Sequence, residues 1–299
     1  MGKHTLKEWF LATRPWSFPA STMPALVVIS SIFASRFGDF SGVNWLMAVL
    51  CVLGVLIFHF GGNLVSDYFD YKTGVDRQDN TGQRMLVDGI FEAKTILKYG
   101  LTLLCIGSAL GLFIVWKSSI YVLYVGLAGF VLTLLYSKLK YHAWGDLDVF
   151  VIFGILTPIG TSFAVLNELD INAVLNAVPV GFLVVGILHS NNTRDMIFAA
   201  RAEVKTFAMN IGLKASKWYY VALLSATYLM IVVLMILGIC SWLSVLAFLS
   251  LPVAVKNLKM MLSCKQAPDI VGLDGMTAKL VLVFSVLLII SNALVPCLL

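Results

Sequence analysis

Long apolar stretches separated by shorter polar segments run along the whole chain. A helix that spans the hydrocarbon core of a bilayer needs about 20 mostly apolar residues. Nine stretches meet this requirement: residues 16–35, 44–65, 97–116, 119–137, 149–167, 173–192, 218–238, 240–257 and 278–298. The pattern predicts an all-α polytopic membrane protein in which residues 1–299 form a single transmembrane domain.

The composition supports this prediction. Hydrophobic residues make up 60% of the chain and charged residues only 12%, whereas soluble domains carry roughly 25% charged residues. The five cysteines are scattered and form no CxxC pair, which excludes a disulfide-rich secreted domain and favours packing roles in or near helices. The basic, amphipathic N-terminus is not followed by a short apolar core with a cleavage site, and we expect no cleaved signal peptide.

Basic residues fall almost entirely on one side of the predicted topology. If the N-terminus is inside, only Arg36 and Lys117 of the 21 lysines and arginines lie in outside segments. The positive-inside rule therefore predicts that the N-terminus is in and the C-terminus is out. The long polar connections also lie inside, and we expect the active site on the cytoplasmic side of the inner (cytoplasmic) membrane. Topology and anionic lipid headgroups account for the formal charge of +5 without a nucleic-acid partner.

Polar side chains cluster at the inside ends of two predicted spans. Asn63 precedes Asp67 by four residues, and Asn191 precedes Asp195 by the same spacing. Residues four apart lie on one face of a helix. This weak internal repeat predicts two four-helix halves, with a ninth helix added.

The chemistry of these clusters points to a diphosphate. Carboxylate and amide oxygens are ligands for Mg²⁺, which usually takes one or two carboxylates and completes its shell with water and phosphate oxygens. Lysine and arginine follow each acidic cluster, and such cations bind phosphate groups. We therefore predict a metal-bound diphosphate whose hydrocarbon tail lies in the apolar bundle. The alternative is that these charges only solvate the inside loops.

Four stretches resemble a known family: "RPWSFPASTMPALV" (14–27), "NLVSDYFDYKTGVD" (63–76), "LLYSKLKYHAWGDLDVF" (134–150) and "NNTRDMIFAARAEVKTFAMNIG" (191–212). The chain resembles the UbiA superfamily of intramembrane aromatic prenyltransferases. Within it, the chain looks most like the 1,4-dihydroxy-2-naphthoate polyprenyltransferases of menaquinone biosynthesis. The resemblance implies nine helices in two four-helix halves around a central cavity.

The resemblance also implies a reaction. A polyprenyl group would pass from polyprenyl diphosphate to 1,4-dihydroxy-2-naphthoate, with loss of CO₂ and diphosphate, to give demethylmenaquinone. Mg²⁺ would be the cofactor, and the lipid bilayer would surround the site. Another aromatic acceptor, such as 4-hydroxybenzoate, homogentisate or a porphyrin, remains an alternative.

Site residues follow from the matching motif positions. The metal ligands would be Asn63, Asp67, Asp70, Asn192 and Asp195. Arg194 would join Asp67, Asp70 and Asp195 in catalysis. The diphosphate would be bound by Lys72, Arg84, Lys140, Arg194 and Lys205. Arg14, Tyr136 and Asp146 are candidates for the acceptor or the cavity. Asp76, Asn191 and Glu203 are further candidates for the site.

The second motif departs from the family pattern at one position. The family normally carries Asp four residues after Asp195, and this chain has Ala199. Either Asp195 is sufficient, with help from Glu203 through water, or the chain is a catalytically impaired, lipid-binding homologue. A transporter is a further alternative, but the acids lie at helix ends and the helix cores carry almost no ionisable residues.

Overall fold

The computed structural model describes residues 4–74, 85–201 and 204–298. In these segments nine helices are long and apolar enough to cross a membrane. They are α2 (Pro15–Ser35), α3 (Trp45–Lys72), α4 (Ala93–Lys117), α5 (Ile120–Tyr141), α6 (Gly145–Leu166), α7 (Ile171–Arg194), α9 (Phe207–Ile236), α10 (Trp242–Ser263) and α11 (Ala267–Leu298). Two short helices, α1 (Leu6–Ala12) and α8 (Met196–Arg201), precede and interrupt this set. The predicted all-α fold with nine spans is confirmed.

Several helices run further than hydropathy alone predicts. The second span was expected to end at residue 65, but α3 continues to Lys72 and includes Asp67 and Asp70. The fourth span was expected to end at residue 137, but α5 continues to Tyr141. Backbone hydrogen bonding does not stop at the first polar side chain, provided that each polar group finds a partner. The acidic motif therefore lies on helix rather than in a loop.

The spans form two sets of four in chain order, and the last helix closes them. The first set is α2 to α5, and the second is α6, α7, α9 and α10. Helix α11 packs against α2, α7 and α10. The largest buried core joins the second set to α2 and α11, and α7 is the most buried span.

Glycines allow two pairs of helices to approach closely. A Cβ atom added to Gly61 of α3 would lie 2.9 Å from the carbonyl oxygen of Gly100 in α4. A Cβ atom added to Gly181 of α7 would lie 2.6 Å from the Cα of Gly154 in α6. Small residues at such contacts let membrane helices pack without a gap. The α6–α7 contact fixes one wall of the cavity described next.

A cavity of about 560 Å³ lies between α2, α3, α4, α5, α6, α7 and α11. Its polar lining includes Asn63, Ser66, Lys140 and Asn191, which lie toward the C-terminal ends of α3, α5 and α7. Its apolar lining comes largely from the C-terminal end of α4 and the N-terminal half of α5, including Leu112, Ile114, Val115, Val122, Leu123 and Val125. One end can therefore hold a charged group, and the other a hydrocarbon tail.

Candidate active site

The first acidic pair lies buried at the end of α3. Asp67 is 5% exposed and Asp70 is 4% exposed. Arg14 forms an ion pair with Asp67. Lys140 Nζ lies 3.1 Å from Asp70 Oδ2, and the Tyr141 hydroxyl donates a hydrogen bond to Asp70 Oδ1. Buried carboxylates are nearly always paired in this way, because burial removes the hydrogen bonds that water would provide.

A tight turn between α1 and α2 directs Arg14 toward this pair. Arg14 has a backbone φ of 59°, in the left-handed region, directly before the helical turn that begins at Pro15. Non-glycine residues in this region cost of order 1 kcal/mol. The Asn63 side-chain amide stabilises the turn by donating to the Thr13 carbonyl oxygen and to Ser17 Oγ, both at 3.2 Å. These bonds use the amide nitrogen of Asn63, whereas a metal would require its oxygen.

The second cluster is built around the guanidinium of Arg194, which is 5% exposed. Its Nε and Nη2 atoms donate to the two carboxylate oxygens of Asp195, each at 2.7 Å. Nη1 donates to Asp274 Oδ2 at 3.0 Å, and Nη2 donates to Asn191 Oδ1 at 2.5 Å. Both Asn191 and Asp274 line the cavity.

Sequence analysis missed Asp274. This residue lies in the first turn of the continuous α-helix within α11, far along the chain from the second motif, and no local spacing connects the two. Ala199, in contrast, is a buried alanine of α8 whose N–H donates to the Asp195 carbonyl oxygen at 2.9 Å. The second cluster therefore contains two carboxylates, Asp195 and Asp274, despite the alanine at position 199.

The other predicted cations are distributed unevenly. Lys140 lines the cavity, whereas Lys72 and Lys205 are exposed. The backbone N–H of Lys205 donates to the Tyr141 carbonyl oxygen at 3.2 Å, so the loop after α8 contacts the helix end that carries Lys140. Asn192 is buried and is absent from the cavity wall. Arg84, Asp76 and Glu203 lie outside the described residues.

The acid that α6 contributes to the cavity is Asp148, and not the predicted Asp146. Asp146 Oδ2 lies 2.8 Å from Nδ1 of His189, whose Nε2 lies 3.2 Å from the Ser216 carbonyl oxygen. Asp146 is thus part of a buried polar network behind the wall. Tyr136 and Asp148 line the cavity. The sequence does not single out Asp148, because hydropathy does not show which face of α6 borders the cavity.

The donor set suits Mg²⁺. Asp67 and Asp70 are three residues apart on α3, with Asn63 one turn earlier, and all three offer hard oxygen atoms. Within residues 4–74, 85–201 and 204–298, no three His, Cys, Asp or Glu side chains form a ready-made metal cage. Mg²⁺ does not require one, because it usually binds one or two carboxylates together with water and phosphate oxygens. These residues fit a metal that arrives with a diphosphate.

Comparison with known proteins identifies the family. The sequence model that describes the UbiA prenyltransferase family matches residues 23–269 of this chain. The chain belongs to this family. It is 33% identical to UbiA prenyltransferase domain-containing protein 1 of Xenopus tropicalis, over 78% of this chain and 68% of that protein. It is 32% identical to the mouse protein of the same name, over 84% of this chain and 75% of that protein.

Solved structures show the same fold. A UbiA homolog from Aeropyrum pernix K1 superposes with a TM-score of 0.68 at 14% identity, covering 91% of this chain and 97% of that one. A UbiA homolog from Archaeoglobus fulgidus bound to GPP and Mg²⁺ superposes with a TM-score of 0.65 at 15% identity, covering 96% and 99%. The predicted membership of the UbiA superfamily is confirmed. The chain is a multi-pass membrane protein, and its family transfers prenyl groups.

Proposed function

We propose that this chain transfers a polyprenyl group from polyprenyl diphosphate to 1,4-dihydroxy-2-naphthoate, with loss of CO₂ and diphosphate, to give demethylmenaquinone in its reduced, hydroquinone form. The observation that carries the proposal is the position of the ion pairs Arg14–Asp67 and Lys140–Asp70, with both acids buried, beside the polar end of an apolar cavity. Such a site can hold a diphosphate in charged surroundings and its tail in apolar ones. Residues 1–299 would act as one domain.

Donor binding would use both acidic clusters. Asp67 and Asp70, with Asn63, would hold Mg²⁺ on one side, and Asp195 with Asp274 on the other. When bound, the metal supplies charge neutralisation for the departing diphosphate. The GPP and Mg²⁺ in the Archaeoglobus fulgidus relative support this choice of donor and cofactor.

The cations of this chain would bind the diphosphate oxygens. Lys140 and Arg194 are buried beside the clusters, and Lys72 and Lys205 lie exposed near the C-terminal ends of α3 and α5. In the structure Lys140 and Arg194 neutralise the acids directly. A bound metal would supply the neutralisation of the carboxylates, and Lys140 and Arg194 would then bind the diphosphate.

The rest of the cavity would protect the reactive carbon. When the donor C–O bond breaks, an allylic cation forms, and water would capture it. Phe58 and Phe130, with ring centroids 5.8 Å apart, line the apolar part together with Phe153. Aromatic faces attract cations and exclude water. These rings would hold the cation until a ring carbon of the acceptor attacks it.

Acceptor chemistry completes the reaction. The attacking ring carbon forms the new C–C bond, the carboxyl carbon leaves as CO₂, and its bonding pair returns to the ring. Arg14 is the candidate partner for the acceptor's carboxylate, because it lines the polar end of the cavity. The "RPWSFPAS" opening favours the naphthoate acceptor over other aromatic acids.

The test uses the purified chain in lipid nanodiscs with a polyprenyl diphosphate and Mg²⁺. We expect diphosphate release that requires both Mg²⁺ and 1,4-dihydroxy-2-naphthoate, and a product mass that shows loss of CO₂. Asp70→Asn should abolish release, and the exposed control Asp39→Asn should not. Reaction only with 4-hydroxybenzoate or homogentisate would replace the acceptor, and no release with any aromatic acceptor would overturn the proposal.

A further inference from the structure

A carboxylate in the cavity wall has no partner in the described part of the chain. Asp148 is 4% exposed and lines the cavity. Neither of its two carboxylate oxygens has a hydrogen-bond partner among the described residues. Buried polar groups are nearly always paired, because an unpaired one loses the hydrogen bonds that water would provide. An exception of this kind calls for an explanation.

The position of Asp148 on α6 directs it toward the substrates. Asp148, Ile152 and Leu156 follow one another at intervals of four residues, and all three line the cavity. Residues 150–156, which follow Asp148 and include the other two, form a π-helical segment, a feature frequent at functional sites. Asp148 lies in the first turn of α6, directly after the end of α5 that carries Lys140, and so belongs to the polar end of the cavity.

The cations near this end are already paired with other acids. Lys140 pairs with Asp70, Arg14 with Asp67, and Arg194 with both Asp195 and Asp274. The neighbouring acid of α6, Asp146, contacts His189. Asp148 therefore differs from the other buried acids of the described site, each of which has a partner within the protein.

The chemistry of the two substrates decides what could pair with Asp148. A carboxylate requires a hydrogen-bond donor or a positive charge. A polyprenyl tail has neither, and a diphosphate is itself negative and would be repelled. Of the two substrates of the proposed function, only the aromatic acceptor carries hydroxyl groups that donate hydrogen bonds.

We infer that Asp148 accepts a hydrogen bond from a ring hydroxyl of the aromatic acceptor. The inference rests on the proposed function. The bond orients the ring against the reactive carbon, and the negative carboxylate stabilises the positive charge that spreads to the hydroxyl oxygen as the ring attacks. Asp148 is thus an acceptor-binding residue, distinct from the predicted metal and diphosphate ligands.

The first test is stability without substrates. Asp148→Asn and Asp148→Leu should leave the Tm of the purified protein unchanged or raise it, because neither breaks a hydrogen bond of the described fold. Asp146→Asn is the matched control on the same helix, and it should lower the Tm because it disturbs the contact with His189. A lower Tm for both Asp148 variants would indicate a structural role and overturn the inference.

The second test couples the residue to the substrate hydroxyl. We expect Asp148→Leu to raise the acceptor KM about 10- to 100-fold, with the KM for polyprenyl diphosphate unchanged. For the wild-type protein, the methyl ether of one acceptor hydroxyl should raise KM similarly. In Asp148→Leu the same ether should cause no further loss, because the two changes remove one interaction.

Failure of the inference is distinguishable from failure of the proposed function. Suppose that the wild-type protein is active, but every methyl ether raises the acceptor KM of Asp148→Leu as much as it raises that of the wild type. The inference is then wrong, and the proposed function stands. If only another phenolic acid is accepted, the naphthoate assignment is wrong, and the same coupling with that phenol and its ether decides the role of Asp148. If no hydroxylated aromatic compound is accepted, both are wrong.

Discussion

At the scale of single residues, the two acidic clusters of the site contain buried and half-buried acids, each paired with a base. Asp70 contacts both Lys140 and Tyr141, and Arg194 donates two hydrogen bonds to the Asp195 carboxylate. These pairs keep the charges compatible with a low-dielectric interior when no substrate is bound. The same bases are the predicted partners of a diphosphate, so the resting site already contains both halves of the binding machinery.

Removing one member of such a pair should be costly. Lys140→Met leaves Asp70 buried without its lysine, and we expect the free energy of unfolding to fall by about 3 kcal/mol. The double variant with Asp70→Asn should recover part of this loss, because no buried charge then remains unpaired. Denaturant unfolding of both variants in detergent measures the difference. Equal stability of the single and double variants would contradict the pairing.

The role of Asp274 can be tested against position 199. If Asp274 acts with Asp195 at the metal, Asp274→Asn should raise the Mg²⁺ concentration for half-maximal diphosphate release about tenfold. Ala199→Asp, added to that variant, should restore part of the affinity by supplying a carboxylate at the position where the family usually has one. Asp39→Asn is the control. An unchanged Mg²⁺ requirement in Asp274→Asn would show that Asp195 is sufficient.

Part of this site could be predicted from sequence, and part could not. Asn63, Asp67 and Asp70 share one helix, so their spacing alone groups them. Asp274 and Arg194 lie in different helices, and only the packing of α11 against α7 brings them together. Asp146 and Asp148 are two residues apart, so they face different directions on a helix, and hydropathy does not reveal which direction is the cavity.

At the scale of helices, close packing sets the cavity wall. Helices α6 and α7 approach at Gly154 and Gly181, where neither helix has a side chain in the way. This contact positions the face of α6 that carries Asp148, Ile152 and Leu156. The position of the wall therefore depends on both glycines, because a side chain at Gly181 would meet the backbone of α6.

A methyl group at this contact should be poorly tolerated. The added Cβ of Gly181→Ala would lie 2.6 Å from a backbone atom of α6, and we expect a loss of about 1–3 kcal/mol in the free energy of unfolding. Gly111→Ala on α4 is the matched control, since a Cβ there meets nothing within 4 Å. Thermal unfolding of both variants provides the comparison. Equal Tm values would mean that the helices can separate at no cost.

At the scale of the whole molecule, the bundle separates charge from hydrocarbon. The C-terminal ends of α3, α5 and α7 carry the acids and bases, while the rest of the cavity extends away from them between apolar helices. In the proposed function, a lipid substrate would present its charged head to this polar end while its tail stays among the apolar helices. Helix α11 closes this arrangement and contributes Asp274.

The predicted orientation gives a test at this scale. The basic residues cluster at one side of the predicted topology, so the N-terminus should be cytoplasmic and the C-terminus should be outside. In bacterial cells, green fluorescent protein is fluorescent when fused to a cytoplasmic end, and alkaline phosphatase is active when fused to an exported end. We therefore expect fluorescence from the N-terminal fusion and phosphatase activity from the C-terminal fusion. Two cytoplasmic ends would contradict the predicted topology.

The sequence by itself determined the class, the number of spans and the first acidic motif. These depend on local properties: the length of apolar stretches and the spacing of residues within one helix. Only the tertiary structure decided which acids meet which bases, that Asp274 completes the second cluster, and that Asp148 rather than Asp146 faces the cavity. These depend on how separate helices rotate and pack against one another, and contacts between residues far apart in the chain leave no periodic signal in it.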